Sequence, residues 1–310
     1  MLVCLEPATG KLLWQQQLVA IEGAAIQNDA IRRIAGASPS YHEGVLICPT
    51  GAGATIAIDL ADRTLRWGNS YPRSAGNSNM IFGQSSRSVG SSDRYLERWH
   101  NAAAAASGTS VLVTPVATDN LYCYDIVDGK KRFSKTRNGA FYVAGIRNGQ
   151  LLIVGPREIS SFEMENGRLS WKTDQRMISA GHQVIGRGVF GPDCYIVPTS
   201  GNELIKVSLT DGEALQRRTT RFPLGNLIAV DGEIISQGTT RLAVALGART
   251  LGPRVDRMLK EDPDNLDALI QKALLLSEQD ERQAALQVLQ RARQIDPDSD
   301  DVLMLSISSM

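Results

Sequence analysis

The sequence predicts a mainly β chain: a β-propeller of about six blades, followed by a small all-α region. Three observations carry that prediction. A hairpin-like segment with one inner spacing recurs five times between residues 5 and 216, and self-similarity of this kind marks a repeat architecture. Short apolar runs follow a glycine upstream of the later copies, so each unit holds several short strands. Beyond Gly247 the hydrophobic pattern changes from alternation to steps of three and four residues.

The five segments are Leu5 to Trp14, Ile58 to Trp67, Tyr124 to Phe133, Phe162 to Trp171 and Val207 to Gln216. In each, an apolar residue lies nine positions before a slot that is aromatic in four of the five. Between them stands a turn pair: Thr9-Gly10, Asp62-Arg63, Asp128-Gly129, Asn166-Gly167 and Asp211-Gly212. Asp-Gly and Asn-Gly between apolar runs predict strand, tight two-residue turn, strand, because such turns need positive φ. Arg63 breaks the glycine pattern and Gln216 the aromatic one.

The slots at 14, 67, 133, 171 and 216 stand 53, 66, 38 and 45 residues apart. The two shorter steps match about 40 to 45 residues for a four-stranded blade. The longer two require insertions. One is expected over 68–110, Ser/Gly/Asn-rich at first, then helical from Asp93 through Trp99 to the alanine run 102–106, with 68–92 a loop and Tyr95, Leu96 and Trp99 as anchors. A weaker one is expected over 24–35, where Ile26, Ala30, Ile31 and Ile34 fall near helical spacing. Upstream strands are expected at Val45–Cys48, Val111–Val113, Leu151–Val154, Tyr195–Val197 and Ile234–Ile235. Leu224–Leu246 forms a sixth strand group. Radial repetition of such units limits the exposed edges of an antiparallel architecture.

The run Cys4-Leu5-Glu6-Pro7-Ala8-Thr9-Gly10-Lys11-Leu12-Leu13-Trp14 resembles the pyrroloquinoline-quinone (PQQ) type propeller repeat, with an acid, Thr-Gly-Lys and a closing Trp. Glu163 to Trp171 and Asp125 to Phe133 are two further copies. The resemblance covers roughly residues 1–246 and implies a PQQ-like propeller over 1–247. That repeat occurs both in quinoprotein dehydrogenases and in non-catalytic propellers similar to the outer-membrane protein assembly lipoprotein. The family commonly has eight blades, so the chain reads as an internal portion of a longer protein.

The last sixty residues read as helices. Leu266, Leu269, Ile270, Ala273, Leu274 and Leu276, then Ala284, Ala285, Leu286, Leu289 and Ala292, recur at helical steps. Pro263 and Pro297 stand 34 residues apart, the tetratricopeptide (TPR) period, each in an Asp-Pro-Asp setting. Residues 254–310 therefore resemble TPR repeats: a closing helix Arg254–Glu261, one full repeat over 264–297, and an opening helix Asp301–Met310. Three or more repeats are normally needed for a stable solenoid, so this end also reads as incomplete.

Composition narrows the function. With 33 Lys plus Arg and 33 Asp plus Glu the formal net charge is zero, which lacks the basic footprint of a nucleic-acid binder. No apolar run approaches the roughly 18 residues of a membrane-spanning helix. Met1-Leu-Val-Cys-Leu has no charged n-region of an export signal, so localisation is open from the chain itself. The resemblance implies cell envelope or periplasm.

The sequence assigns no catalytic or metal motif. Gly186-Arg187-Gly188-Val189-Phe190-Gly191 matches G-x-G-x-x-G, but Pro192-Asp193 and a strand follow where a dinucleotide loop must open a helix. Gly51-Ala52-Gly53 leads into a strand and reads as a turn. His42, His100 and His182 have no ligand spacing, and Cys4, Cys48, Cys123 and Cys194 form no C-x-x-C. Trp14, Trp67 and Trp171 occupy repeat slots and are expected to pack between blades, while Arg217, Arg218 and Arg221 read as a solvated rim. A PQQ enzyme would hold its quinone with a vicinal cysteine pair and calcium with a carboxylate–Asn–Asp set. Adjacent cysteines are lacking here, so no cofactor is expected. The resulting expectation is a non-enzymatic scaffold whose partners are other proteins, met through a propeller face and the TPR-like helices. The alternatives are a fragment of a quinone-dependent dehydrogenase and a sugar- or polymer-binding propeller.

Overall fold

The computed structural model describes residues 1–20, 38–71, 99, 103–115, 118–220, 222–231, 233–245, 248–279, 281–299, 302–303 and 305. Two compact units divide the chain, Met1–Leu224 and Gly225–Met310. The first unit is a series of antiparallel sheets in chain order. A two-stranded sheet pairs β1 (Leu2–Leu5) with β2 (Leu12–Gln16). The second sheet holds β3 (Ser40–His42), β4 (Val45–Pro49), β5 (Ala54–Asp59) and β6 (Leu65–Ser70). The third holds β7 (Ala105–Ser107), β8 (Ser110–Val113), β9 (Asn120–Asp125) and β10 (Lys131–Thr136). The fourth holds β11 (Tyr142–Arg147), β12 (Gln150–Val154), β13 (Ile159–Glu163) and β14 (Leu169–Lys172), and the fifth β15 (Val189–Phe190), β16 (Cys194–Pro198), β17 (Glu203–Ser208) and β18 (Ala214–Thr219). These are propeller blades. The apolar runs expected near 45, 111, 151 and 195 are β4, β8, β12 and β16, each the second strand of its blade.

All five predicted hairpins form, but their turns differ from the two-residue type. Glu163 N–H donates to the Arg168 carbonyl and Gly167 N–H to the Glu163 carbonyl, so four residues lie in the loop. The loops closed by Glu6/Lys11, Asp59/Thr64, Asp125/Lys130 and Ser208/Glu213 have the same bond. Only the last loop residue is left-handed: φ is 70° at Gly10, 61° at Arg63, 72° at Gly129 and Gly167, and 80° at Gly212. The residue before it serves another purpose. Thr9, Asp62, Asp128, Asn166 and Asp211 each accept, through a side-chain oxygen, the backbone N–H two residues on. That local bond is why short oxygen-bearing side chains fill this slot.

A β-bulge follows each loop at one equivalent place. Phe162 faces Leu169 and Ser161 faces Trp171, leaving Ser170 as the extra residue. Leu13, Arg66, Arg132 and Leu215 are extra in the same way. Without the bulge, period two would put residues 169 and 171 on one face. With it, the apolar residue nine positions back points to the preceding blade and the slot aromatic to the following one.

The junctions bear this out. Trp67 packs with Tyr122, Tyr124 and Ile126 of the third sheet, and its indole Nε1–H donates to the Ile126 carbonyl at 2.9 Å. Trp171 packs with Ile205 and Val207 of the fifth and donates to the Leu209 carbonyl at 3.0 Å. Phe133 packs with Phe162 of the fourth. Each ring covers the loop glycine of the next blade: a Cβ added at Gly129, Gly167 or Gly212 would lie 2.6, 2.8 or 2.5 Å from Trp67, Phe133 or Trp171. Where Arg63 replaces the glycine, its guanidinium sits 5.5 Å over the Trp14 ring.

The long insertion is narrower than 68–110. β6 runs to Ser70, and the Ala105–Ser107 part of the alanine run is strand β7, because β8 offers it a ladder of backbone partners that outweighs alanine's helix propensity. Trp99 is buried against Leu112, Leu121 and Cys123. Of the loop expected over 68–92, residues 72–92 lie outside the described residues, as do the anchors Tyr95 and Leu96 and the insertion at 24–35.

The second unit opens with an antiparallel sheet of β19 (Asn226–Val230), β20 (Glu233–Gln237) and β21 (Leu242–Ala245). The helices α1 (Ala248–Glu261), α2 (Leu266–Glu278) and α3 (Arg282–Ile295) follow. α1 begins six residues before the expected Arg254, with Pro253 inside it. Val255, Met258 and Leu259 pack on Ala268 and Leu275 of α2, and that contact carries the helix past a proline in its second turn. Ala273, Ala285 and Ala292 are all buried, and Leu269 and Leu289 pack with Ala273 and Ala292 in one cluster. Asn265 caps α2, its side chain accepting the Ala268 N–H at 2.9 Å. Of the expected helix 301–310, Val302 and Leu305 pack on α2 and α3, and most of the rest lies outside the described residues.

Candidate protein-interaction surface

The fourth strand of each blade is the exposed one. Every residue of β18 is exposed, and Leu65, Leu169 and Leu215 on β6, β14 and β18 are 63%, 55% and 55% exposed. Leu60 and Val127 in the adjoining loops are exposed as well. Beside them stand the loop carboxylates. Hydrogen bonds from Thr64, first its hydroxyl and then its N–H, hold Asp62 below the ordinary aspartate range. Lys130 does the same for Asp128, and the Glu213 N–H for Asp211. Asp125 is held low chiefly by Arg132, whose Nη2 lies 2.5 Å from it. The bulge arginine Arg66 pairs with Asp59 at 3.2 Å in the same way. The rim thus repeats an anionic loop tip beside an exposed leucine or a paired arginine. Such a surface can bind, through apolar contact and charge.

The residues singled out by sequence scatter. Gly188 N–H donates to the Tyr142 hydroxyl, and a Cβ there would lie 2.3 Å from the Ile196 carbonyl, so the G-x-G-x-x-G stretch is a close backbone approach entering β15 with no helix to receive a phosphate. Gly53 is in the turn between β4 and β5, at φ 89°. His42 Nε2–H donates to the Gly108 carbonyl at 3.0 Å, and His182 lies beside Ser200. His100 and Arg221 lie outside the described residues. Arg217 is more than a solvated rim residue: it donates to the Met177 carbonyl and stands 3.8 Å from Glu203. The paired tyrosines Tyr142 and Tyr195, with hydroxyls 3.2 Å apart and pKa values raised by burial, carried no sequence signal because neither belongs to the repeat motif.

All four cysteines are free thiols. Cys4 is on β1, Cys48 on β4, Cys123 on β9 and Cys194 on β16, so each belongs to a different sheet. Burial pushes the Cys48 and Cys123 thiols up to about 11. Among the described residues no three His, Cys, Asp or Glu side chains converge as metal ligands. The described residues therefore do not fit the vicinal-cysteine and calcium set that holds PQQ in a quinoprotein. A small crevice of about 50 Å3 is lined by Arg147, Asn148, Gln150, Leu152, Ser161, Phe190 and Leu209. It offers a cation, amides and a ring, and the Gln150 amide oxygen already accepts from Ser161 and Ser170. No helix among the described residues is long and apolar enough to cross a membrane.

Comparison with known proteins agrees with this architecture. A family model described as outer membrane protein assembly factor BamB matches residues 1–98 and 85–247. Among solved structures, BamB from Moraxella catarrhalis aligns with a TM-score of 0.47 and 15% identity, covering 67% of this chain and 56% of that one. The Myceliophteria thermophila Cps50 (Swd1) β-propeller domain aligns at 0.45 and 11%, covering 67% and 64%. The chain thus spans little more than half the length of that BamB structure. No curated protein matches. Repeated hairpins, bulges and ring-on-glycine junctions, together with a family match over most of the sequence, mean that this chain belongs to the PQQ-like repeat β-propeller family described as outer membrane protein assembly factor BamB.

Proposed function

We propose that the chain is a non-enzymatic scaffold of the cell envelope that binds other proteins. Its propeller part, residues 1–247, offers the exposed fourth strands, and residues 254–310, TPR-like in their period, offer a second, helical surface. The observation that carries the reading is exposure along the fourth strands: Leu12, Leu65 and Leu169, at one equivalent slot, are 50%, 63% and 55% exposed, and Leu215, at the neighbouring bulge position of the fifth sheet, is 55% exposed. Single exposed leucines are ordinary, but recurrence on a rigid repeat builds a regular, extended apolar rim of the kind used for protein contact. Membership of a family described as an outer-membrane assembly factor supports the same reading.

The test is the triple substitution Leu65→Lys, Leu169→Lys and Leu215→Lys. It is expected to leave the melting temperature unchanged and to abolish cross-links to partner proteins in living cells. Cross-links that persist unchanged would overturn the rim as the binding surface. An absorbance band of bound quinone after adding PQQ and calcium would overturn the non-enzymatic reading.

A further inference from the structure

The fourth sheet places its cation differently from the two sheets before it. In the second and third sheets the extra residue of the bulge is an arginine, and each has a carboxylate: Arg66 pairs with Asp59 and Arg132 with Asp125. Arg132 also donates to the hydroxyl of Ser110, the first residue of β8. In the fourth sheet the bulge residue is Ser170, and Gln150, the first residue of β12, stands where Ser110 does. The Ser170 hydroxyl donates to the Gln150 amide oxygen at 2.7 Å, and the Ser161 hydroxyl donates to the same oxygen at 2.9 Å. The cation stands instead at Arg147, opposite Gln150 across the two-residue turn Asn148-Gly149. Its guanidinium lies 5.9 Å from the centre of the Phe190 ring, and it has no carboxylate partner among the described residues.

Arg147 and Gln150 both line the crevice of about 50 Å3 between the fourth and fifth sheets, and three features of that crevice define its ligand. The first is a surplus of donors. Two serine hydroxyls use both lone pairs of the Gln150 oxygen, which leaves its NH2 group unbonded, and Arg147 adds a planar fork of N–H groups. The second is charge. No acidic side chain lines the crevice, and Glu163, the residue opposite Gln150 on β13, is held by the Asn166 amide at 2.6 Å. The third is an apolar wall of Leu152, Phe190 and Leu209. A Cβ at Gly145 would lie 3.0 Å from the Phe190 ring, so the backbone of β11 closes on that ring and fixes it. A volume of 50 Å3 has room for about three or four water-sized groups. A carboxylate on one or two methylenes fits: its two oxygens meet the donors and its stem meets the wall. A phosphate would turn its remaining oxygens onto Phe190 and Leu209, where nothing donates to them. A free acid this small would bear the whole cost of association for a few bonds, whereas a side chain on an already docked protein would not.

We propose that this crevice is a subsite for the carboxylate of an acidic side chain on a partner protein, with Arg147 and the Gln150 NH2 group donating to its oxygens. The assignment rests on the scaffold reading for the source of the carboxylate, and its test involves none of the rim leucines.

The probe is the α-amide of N-acetylglutamate, titrated into the full chain by NMR beside its uncharged counterpart, N-acetylglutamine amide. The acid is expected to shift the Gln150 side-chain and Arg147 Nε–H resonances saturably, and the uncharged compound to leave them in place. Gln150→Glu keeps an acceptor for both serines but removes the NH2 donors, and Arg147→Gln removes the fork. Each should weaken binding by about tenfold or more with the melting temperature unchanged. If Gln150→Glu disturbs the fold, Arg147→Gln decides, because Arg147 is exposed. Equal shifts from the uncharged compound, or an affinity that Arg147→Gln leaves intact, would overturn the proposal. Inorganic phosphate binding more tightly than the acid would overturn it as well, in favour of a general anion site. In living cells a photo-cross-linking residue in place of Asn148 should trap a protein, and adding Arg147→Gln should abolish that adduct. Acid binding with no such adduct, in cells where the rim still cross-links to partners, would assign the crevice to a free acid and overturn the partner assignment while leaving the scaffold reading in place. Cross-links absent from both positions would overturn the scaffold reading and the partner assignment together.

Discussion

At the scale of single residues, the loop position after Asx or Thr is where the chain is least tolerant. Gly167 combines φ of 72° with a Phe133 ring 2.8 Å from where a Cβ would stand. Gly167→Val is expected to cost about 1–3 kcal/mol in a thermal or urea melt, and an unchanged melt would refute the register of this hairpin. Arg63→Gly should change stability by less than about 0.5 kcal/mol, because relief of left-handed strain is offset by loss of the Trp14 stack. The loop carboxylates set a pH dependence. Asp62, Asp125, Asp128 and Asp211 are held below the ordinary aspartate range when folded, so their contribution is complete above the unfolded value near 3.9 and is lost as pH falls through their lower folded values. Melting temperature should therefore decline below about pH 4, and Asp125→Asn should make part of that decline disappear. A decline that Asp125→Asn leaves unaltered would exclude the Arg132 pair as its source.

At the scale of the element, the bulged hairpin is the working unit, since the bulge sends one side chain to each neighbouring blade. Trp67 is 6% exposed, packs on the third sheet and donates to Ile126. Trp67→Ala should cost roughly 3–5 kcal/mol from lost burial and the cavity left behind. Trp67→Phe should cost roughly 1–3 kcal/mol, chiefly because the Ile126 carbonyl would be left buried and unpaired. Denaturant titration of the two variants measures both, and a Trp67→Phe cost near zero would mean that the indole bond contributes nothing. Among the helices, Ala292 is fully buried beside Leu269 and Leu289. Ala292→Leu should overpack that contact and lower stability by about 1–3 kcal/mol, read from the helical circular-dichroism signal on heating.

At the scale of the whole molecule, the first unit behaves as a row in which every interior sheet is held by its two neighbours. Stability in such a row is close to a sum of nearest-neighbour terms. Trp67 and Trp171 act at different junctions and share no contacting residue. Their alanine substitutions should therefore add within about 0.5 kcal/mol in a double-mutant cycle. A coupling well beyond that would mean that strain passes through the intervening sheet.

What the sequence determined by itself is local and periodic. The five hairpins were legible because an apolar residue, an Asx-Gly or Thr-Gly loop and an aromatic recur at one spacing; so were the apolar second strands and the change of period after Gly247. What it could not show depends on partners distant along the chain. Ala105–Ser107 is a strand because β8 pairs with it, α1 passes Pro253 because α2 covers Val255, and Arg63 stands in for glycine because Trp14 lies beneath it. The four-residue loop and its bulge are not legible in the sequence because a tight Asp-Gly turn and this longer loop share the same two letters, and only the register across the strands distinguishes them.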